Sequence, residues 1–407
     1  MLPESIEKIR AGYPVLDRKI YGKPLIYLDN TATSQTPRRV VEAVERVYYG
    51  YKANVHRGVH TLSQEATEMM ETTRRKVAAY INAASAQEVI FTRGTTEAIN
   101  LVASSYGGEF LRDGDRIILT VMEHHANIVP WQLLQRHKDI HIDVVPVRPD
   151  GSLDTGRYRE LFTDRTRLVA FCHVSNVLGT VNPVKEMATI AHEHGCVVVV
   201  DGAQASPHLR IDVRDIDADF YAFSSHKMYG PCGVGVLYGR RELLEKMPPY
   251  QGGGEMIGHV SFSGTTFAEL PFKFEAGTPD FVDIAAFAEA LDYISSLGIE
   301  NIAAHEHELL EWTTSEMMKI PGMRIFGTAP GKAAVISFLI GDAHHYDTGM
   351  LLDKLGVAVR TGHHCAQPLM EALGIEGTVR ASFAVYNTLD ECKAFIAALR
   401  RIAPMLL

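Results

Sequence analysis

The chain is predicted to fold as an α/β protein: a large domain built on a mostly parallel seven-stranded sheet, plus a smaller α+β C-terminal domain. Three observations lead there. Short apolar runs alternate with longer amphipathic stretches through the middle of the chain. Near residue 250 the texture changes to glycine-rich loop material. At 407 residues the chain is also too long for one small core. Unbroken apolar strands separated by helices belong to a parallel sheet buried on both faces.

Strands are expected over 89–92, 116–120, 142–147, 168–172, 197–200, 220–223 and 233–238, with helices over 38–49, 96–111 and 183–194 between them. Glycine-rich loops follow at 252–254, 264–266 and 277–279, the natural place for segments close to a ligand. A helix over 284–297 leads into the second set of elements. These are strands over 335–340, 357–359 and 379–383, a helix over 347–355, and a last helix from residue 390. The expected division is 24–291 for the large domain, and 1–23 with 292–407 for the small one. In open parallel sheets ligands bind beyond the carboxyl ends of the strands, so the residues just after each run carry the interest.

Composition narrows the function. Hydrophobic residues at 46% and charged residues at 22% are ordinary for a globular protein, and a net charge of -9 gives no general attraction to nucleic acid or anionic membrane. The five cysteines, at 172, 196, 232, 365 and 392, are odd in number, widely spaced and without a CxxC pair. That argues against a disulfide framework or a zinc site and for a reducing compartment. The first ten residues lack the apolar core of a signal peptide, and no apolar run is long enough to span a bilayer. A cytoplasmic location is expected. Cys172, Cys196, Cys232 and Cys392 are read as structural.

Asp201 closes the run 197–200, and a carboxylate there needs a cationic or hydrogen-bonding partner, unless it only caps a helix. Lys227 follows the next strand and precedes Gly230 and Pro231, so its amine is expected at the ligand end of the sheet. Burial would lower its pKa and favour Schiff-base chemistry. Together the two residues point to pyridoxal 5'-phosphate, whose pyridine nitrogen needs an acid and whose aldehyde needs an amine. A phosphate site is expected where the first strand meets a helix, at Arg93, Gly94, Thr95 and Thr96, with Ser224 and His226 as further donors. His124, after the strand ending near Thr120, is placed to stack on the ring or to move protons. Cys365 lies among Arg360, His363 and His364, where neighbouring positive charge favours the thiolate.

These segments resemble the SufS/CsdA-type cysteine desulfurases, fold-type I pyridoxal-phosphate enzymes of the class V aminotransferase superfamily. The resemblance runs from Tyr27–Asn30 to Arg380–Ser382, and the Arg360–Ala366 segment is what assigns the subgroup. It implies Lys227 as the Schiff-base lysine, Asp201 on the pyridine nitrogen, Gln204 on the ring hydroxyl and His124 stacked on the ring. It further implies Thr96, Ser224 and His226 on the phosphate, with Thr278 reaching that phosphate across a homodimer interface. Arg380 would clamp the substrate carboxylate, Asn176, His56 and Arg360 would share the substrate pocket, and Asn176 would also contact the cofactor.

The implied reaction takes sulfur from L-cysteine onto Cys365 as a persulfide and releases L-alanine. The implied partner is a small sulfur acceptor of the SufE or SufU kind, and the implied end use is iron–sulfur cluster assembly. Three alternatives stand beside it. A selenocysteine lyase would use nearly the same pocket. An aminotransferase or epimerase would leave Cys365 idle. A non-catalytic scaffold binding metal through His363, His364 and Cys365 would leave Asp201 and Lys227 unexplained.

Overall fold

Seven strands form the central sheet of the computed structural model, which describes residues 2–407. In chain order they are Val89–Thr92 (β1), Arg116–Thr120 (β2), His141–Val145 (β3), Thr166–Cys172 (β4), Val197–Asp201 (β5), Phe220–Ser224 (β6) and Gly235–Gly239 (β7). Across the sheet they lie in the order β1-β7-β6-β5-β4-β2-β3. Only β7 runs against its neighbours β1 and β6; the other pairs are parallel. All seven expected strands are present, with ends shifted by a residue or two.

Alternation of side chains along each strand splits the sheet's apolar residues between two cores. Val89, Phe91, Ile118, Phe171, Val200 and Phe223 pack into one, while Ile90, Ile117, Leu119, Val199, Ala222 and Leu237 pack into the other. Each fully buried Val or Ile contributes about 1.5–3 kcal/mol. Burial on both faces is therefore what holds the strand ends in register.

Helices Thr61–Tyr80 (α1), Thr95–Leu101 (α2) and Phe281–Leu297 (α3) flank this sheet, and α1 packs along α3. The helical path of α2 continues through a wider turn as far as Phe110. α1 was not expected from the sequence. Its inward face includes Ser63, Thr73 and Arg74, so no continuous apolar stripe announces it. Arg74 is buried there because Glu275 meets its guanidinium at 2.6 and 2.9 Å, Glu71 pairs with it as well, and the Val89 carbonyl accepts at 2.9 Å.

A second sheet follows from Met323–Phe326 (β8), Val335–Ile340 (β9), Arg360–Gly362 (β10) and Thr378–Ser382 (β11), antiparallel throughout in the order β8-β9-β11-β10. Helices Ile299–Met317 (α4) and Leu389–Leu406 (α5) supply Leu309, Phe395 and Leu399 to its core. Thr388 and Glu391 form a reciprocal capping box that starts α5. β8, β10 and α4 were not expected.

The N-terminal stretch reaches both cores. Ile9, Tyr13 and Leu16 pack into the larger core, and the Tyr13 ring lies 4.6 Å from that of Tyr386. Ile26 and Leu28 belong to the smaller core instead, where Ile26 and Tyr27 pair in parallel with Val357 and Ala358. Cys172, Cys196 and Cys392 are buried as expected, but Cys232 is exposed, in the turn after Pro231 that leads to β7. Among the described residues, no helix is long and apolar enough to cross a membrane.

Candidate active site

The parallel strands deliver their carboxyl ends to one cavity of about 670 Å³. β5 ends in Asp201, fully buried, with one carboxylate oxygen accepting the Ala203 N–H at 2.9 Å. Burial raises the pKa of Asp201, against the pull of that N–H and of Lys227. β6 ends in Ser224, and the single turn Ser225–Lys227 then brings the lysine amine beneath the cavity. Desolvation lowers the Lys227 pKa to about 8; Asp201 and Cys365 oppose that shift and Arg380 adds to it.

β1 turns at Gly94 into α2. There the Ser224 hydroxyl accepts the Thr95 N–H at 2.8 Å and lies 2.7 Å from the Thr95 hydroxyl. Thr96 lines the same corner. The turn sits directly on β7: a Cβ added to Gly235 would come within 2.3 Å of the Gly94 Cα. After β2, His124 lines the cavity with Nδ1 accepting the Ala126 N–H at 3.0 Å, and burial holds its pKa down at about 4. His226 is likewise lowered to about 4 by burial. Both imidazoles are therefore neutral around pH 7.

Gln204 enters from the segment after β5 and donates to the Thr31 carbonyl at 2.8 Å. Asn176, on the loop after β4, donates to the His364 carbonyl at 2.8 Å. Its own carbonyl accepts from Arg380 Nη1 at 2.8 Å. Arg380 is buried on β11, and Arg360, on the paired strand β10, reaches the same cavity.

Cys365 lines the cavity yet is exposed, in the segment that follows β10. His364 and Cys365 have φ of 54° and 56°, a left-handed conformation that side chains other than glycine seldom adopt. Three contacts hold it. The His364 ring meets the Thr378 hydroxyl at 2.9 Å, Asn176 binds the His364 carbonyl, and the His125 N–H donates to the Cys365 carbonyl at 2.7 Å.

One cavity thus gathers Thr95, Thr96, His124, Asn176, Asp201, Gln204, Ser224, His226, Lys227, Arg360, Arg380 and Cys365. His56 and Thr278 lie outside it. The His56 ring contacts Glu71 at 3.1 Å and packs edge-on to Phe272, while Thr278 lines a neighbouring cavity of about 490 Å³ that shares Arg93, Glu97 and Tyr250 with the first. Among the described residues no group of three His, Cys, Asp or Glu side chains is placed to hold a metal ion.

Two neighbours of the site were not assigned a role from sequence. Glu123 is fully buried beside His124, accepts from Asn127 Nδ2 at 2.7 Å and from the Cys172 N–H at 3.0 Å, and is raised by desolvation to about 7. Asp29 bridges the two arginines.

The donor set fits pyridoxal 5'-phosphate. A buried amine faces a buried carboxyl, a hydroxyl-rich turn at a helix start suits a dianion, and the Thr31 hydroxyl, which lines the cavity, is buried without a partner.

The class-V aminotransferase family model matches residues 26–395. The chain belongs to that family. Within it, the cysteine desulfurase of Serratia proteamaculans (strain 568) is 50% identical over 403 residues, spanning 98% of this chain and 99% of that protein. The cysteine desulfurase of Escherichia coli O127:H6 is 50% identical over 404 residues, spanning 99% of each. Among solved structures, the cysteine desulfurase CsdA of Escherichia coli superposes with a TM-score of 0.92 at 39% identity, covering 99% of this chain and 100% of that one. The apo cysteine desulfurase of Thermococcus onnurineus NA1 gives 0.94 at 39% identity, covering 100% and 99%. The resemblance to SufS/CsdA-type cysteine desulfurases therefore extends over the whole chain, and with it the fold-type I architecture and membership of a pyridoxal-phosphate-dependent enzyme family.

Proposed function

We propose that this class-V family member is itself a cysteine desulfurase, converting L-cysteine to L-alanine with transfer of the sulfur to Cys365. The observation that carries the reading is that Cys365, Lys227 and Arg380 line one cavity although they come from different sheets and distant parts of the chain.

In this reading Thr95, Thr96, Ser224 and His226 hold the phosphate of pyridoxal 5'-phosphate, Asp201 faces its ring nitrogen, Gln204 its hydroxyl, and His124 its ring face. When bound, the group supplies a ring that stabilises negative charge on the substrate carbon. Arg380 takes the substrate carboxylate through a planar fork of donors, with Asn176 and Arg360 beside it. Its Nε is buried without a partner, which leaves a donor for a ligand. Lys227 has a pKa near 8, so the neutral amine that can take the α proton is populated near neutral pH.

The Cys365 thiolate then bonds to the substrate sulfur as the substrate's Cβ–S bond breaks. The electron pair of that bond stays on carbon, which takes a proton. L-Alanine leaves, and Cys365 keeps the persulfide.

The exposure of Cys365 supports delivery to a second protein, a small acceptor of the SufE or SufU kind, and from there to iron–sulfur cluster assembly. Five unbridged cysteines support a reducing, cytoplasmic location. We also propose a homodimer in which Thr278 of one copy reaches the phosphate of the other, and a division of the chain near residues 24 and 291.

The test is to incubate the cofactor-loaded protein with L-cysteine, measuring alanine and the mass added to Cys365. Equal alanine and persulfide in the first turnover are expected, and Cys365→Ala should form neither at the normal rate. Undiminished alanine from Cys365→Ala would show that sulfur leaves by another route.

A further inference from the structure

We propose that Ser34 is a positioning residue for Lys227: its hydroxyl bridges the backbone on both sides of the lysine and so aims the amine at the cofactor. This rests on the reading of Lys227 as the amine that takes the cofactor's aldehyde. A lysine at the ligand end of a sheet is only as well aimed as the turn that carries it. Here that turn is short, Ser225–Lys227, and is closed by the Met228 N–H on the Ser225 carbonyl at 2.7 Å.

The chain leaves the turn through Tyr229, whose φ of 61° lies in the left-handed region that a bulky residue occupies only when its surroundings hold it there. The Tyr229 ring is buried among those of Tyr13, Tyr293 and Tyr386, and its hydroxyl accepts the Val385 N–H at 3.3 Å. The Tyr229 N–H donates to the Ser34 hydroxyl oxygen at 2.8 Å. That hydroxyl in turn donates to the His226 carbonyl at 3.2 Å, where the Ser34 N–H also donates at 3.1 Å. One buried side chain therefore pins residues 226 and 229, with Lys227 between them.

Ser34 is itself fixed by its neighbours. The Tyr27 hydroxyl donates to the Thr33 carbonyl at 2.9 Å, and the Gln35 N–H donates to the Tyr386 hydroxyl at 2.9 Å. Two further hydroxyls act at the edges of the turn. Thr33 meets the His226 ring and carbonyl at 3.2 and 3.0 Å, and Thr36 donates to the Gly230 carbonyl at 3.3 Å. Ser34 does not line the cavity, so it acts only through Lys227. A buried backbone N–H that loses its partner is costly. Without the Ser34 hydroxyl, Tyr229 relaxes from its left-handed conformation and the lysine turn shifts with it. Displacing a reacting group by about 1 Å costs up to about 100-fold in rate.

The experiment compares two phosphorylated pyridines on the apoprotein. Lys227 can capture pyridoxal 5'-phosphate, whereas pyridoxine 5'-phosphate lacks the aldehyde and reports on the rest of the site alone. By stopped-flow absorbance, Ser34→Ala should capture pyridoxal 5'-phosphate about tenfold more slowly than the native protein, while binding pyridoxine 5'-phosphate equally well. Thr36→Ala, which loses a bond to the far side of the turn, should capture at the native rate. Ser34→Cys keeps the shape with a weaker hydrogen-bonding group and supplies the same comparison if Ser34→Ala does not fold. A native capture rate in the Ser34 variant overturns the proposal. So does a slowing matched by an equal loss of pyridoxine 5'-phosphate affinity, or by an equal slowing in Thr36→Ala. The Lys227 reading is tested separately: borohydride reduction of the loaded native protein should fix the cofactor's mass on Lys227, and its appearance on another residue sinks that reading whatever Ser34 does.

Discussion

The backbone N–H of His125 donates to the carbonyl of Cys365 at 2.7 Å, tying the segment after β2 in the large sheet to the Cys365 segment of the small one. His125 opens a short helical turn, His125–Asn127, a position where proline is tolerated. His125→Pro therefore removes this donor selectively, while His125→Ala keeps the N–H and loses only the ring. A hydrogen bond of this kind contributes about 0.5–1.5 kcal/mol. The persulfide-forming step should slow severalfold in His125→Pro relative to His125→Ala, with cofactor content equal in both, as followed by rapid quench and mass analysis of Cys365.

The depressed Lys227 pKa has a kinetic signature in the apoenzyme. Imine formation needs the neutral amine, so the rate of cofactor capture should rise with pH through about 8 instead of about 10.5. A stopped-flow pH series reads this directly. Asp201→Asn removes one opposing charge and should move that midpoint lower still.

Buried neutral histidines make the apoprotein acid-labile. His124, His173 and His226 are held at about 4 and His364 at about 2, each chiefly by desolvation, against an ordinary value of 6.5. Between those limits the unfolded chain binds more protons than the folded one, so stability rises with pH. Glu123, raised to about 7, and Asp201 act in the opposite direction but are outnumbered. Denaturant midpoints should therefore drop as pH falls from about 6.5 towards 4. A flat profile across that window would mean that the histidines charge in place.

Arg74 tests the packing of α1. Replacing it by Met leaves Glu275 buried without its partner, and breaking a buried pair costs about 3–5 kcal/mol. The thermal midpoint of Arg74→Met should fall substantially, and Arg74→Met with Glu275→Gln should recover part of the loss.

The strands that carry Asp201 and Ser224 were readable because runs such as Val197–Asp201 are almost entirely β-branched and buried on both faces. Lys227 was readable because it comes three residues after the buried apolar run Phe220–Ser224. α1 was not, since a face holding Ser63, Thr73 and Arg74 looks solvated until Glu275, far along the chain, is brought to it. Cys232 misled for the converse reason: it lies between apolar strands in sequence, but its turn faces outward. The Asp29 bridge stayed hidden because strand pairing, which sequence periodicity does not report, sets Arg360 opposite Arg380.

Gly235 adds a last consequence. It lends no atom to the cavity lining, yet it is the floor on which the Gly94 turn rests. A methyl group there would have to lift that turn by pushing on backbone, which cannot rotate away as a side chain can. Tolerance to substitution around the Thr95 corner is thus governed from outside the cavity, through the one strand that runs against its neighbours. A comprehensive mutational scan should find position 235 as unforgiving as Lys227 itself.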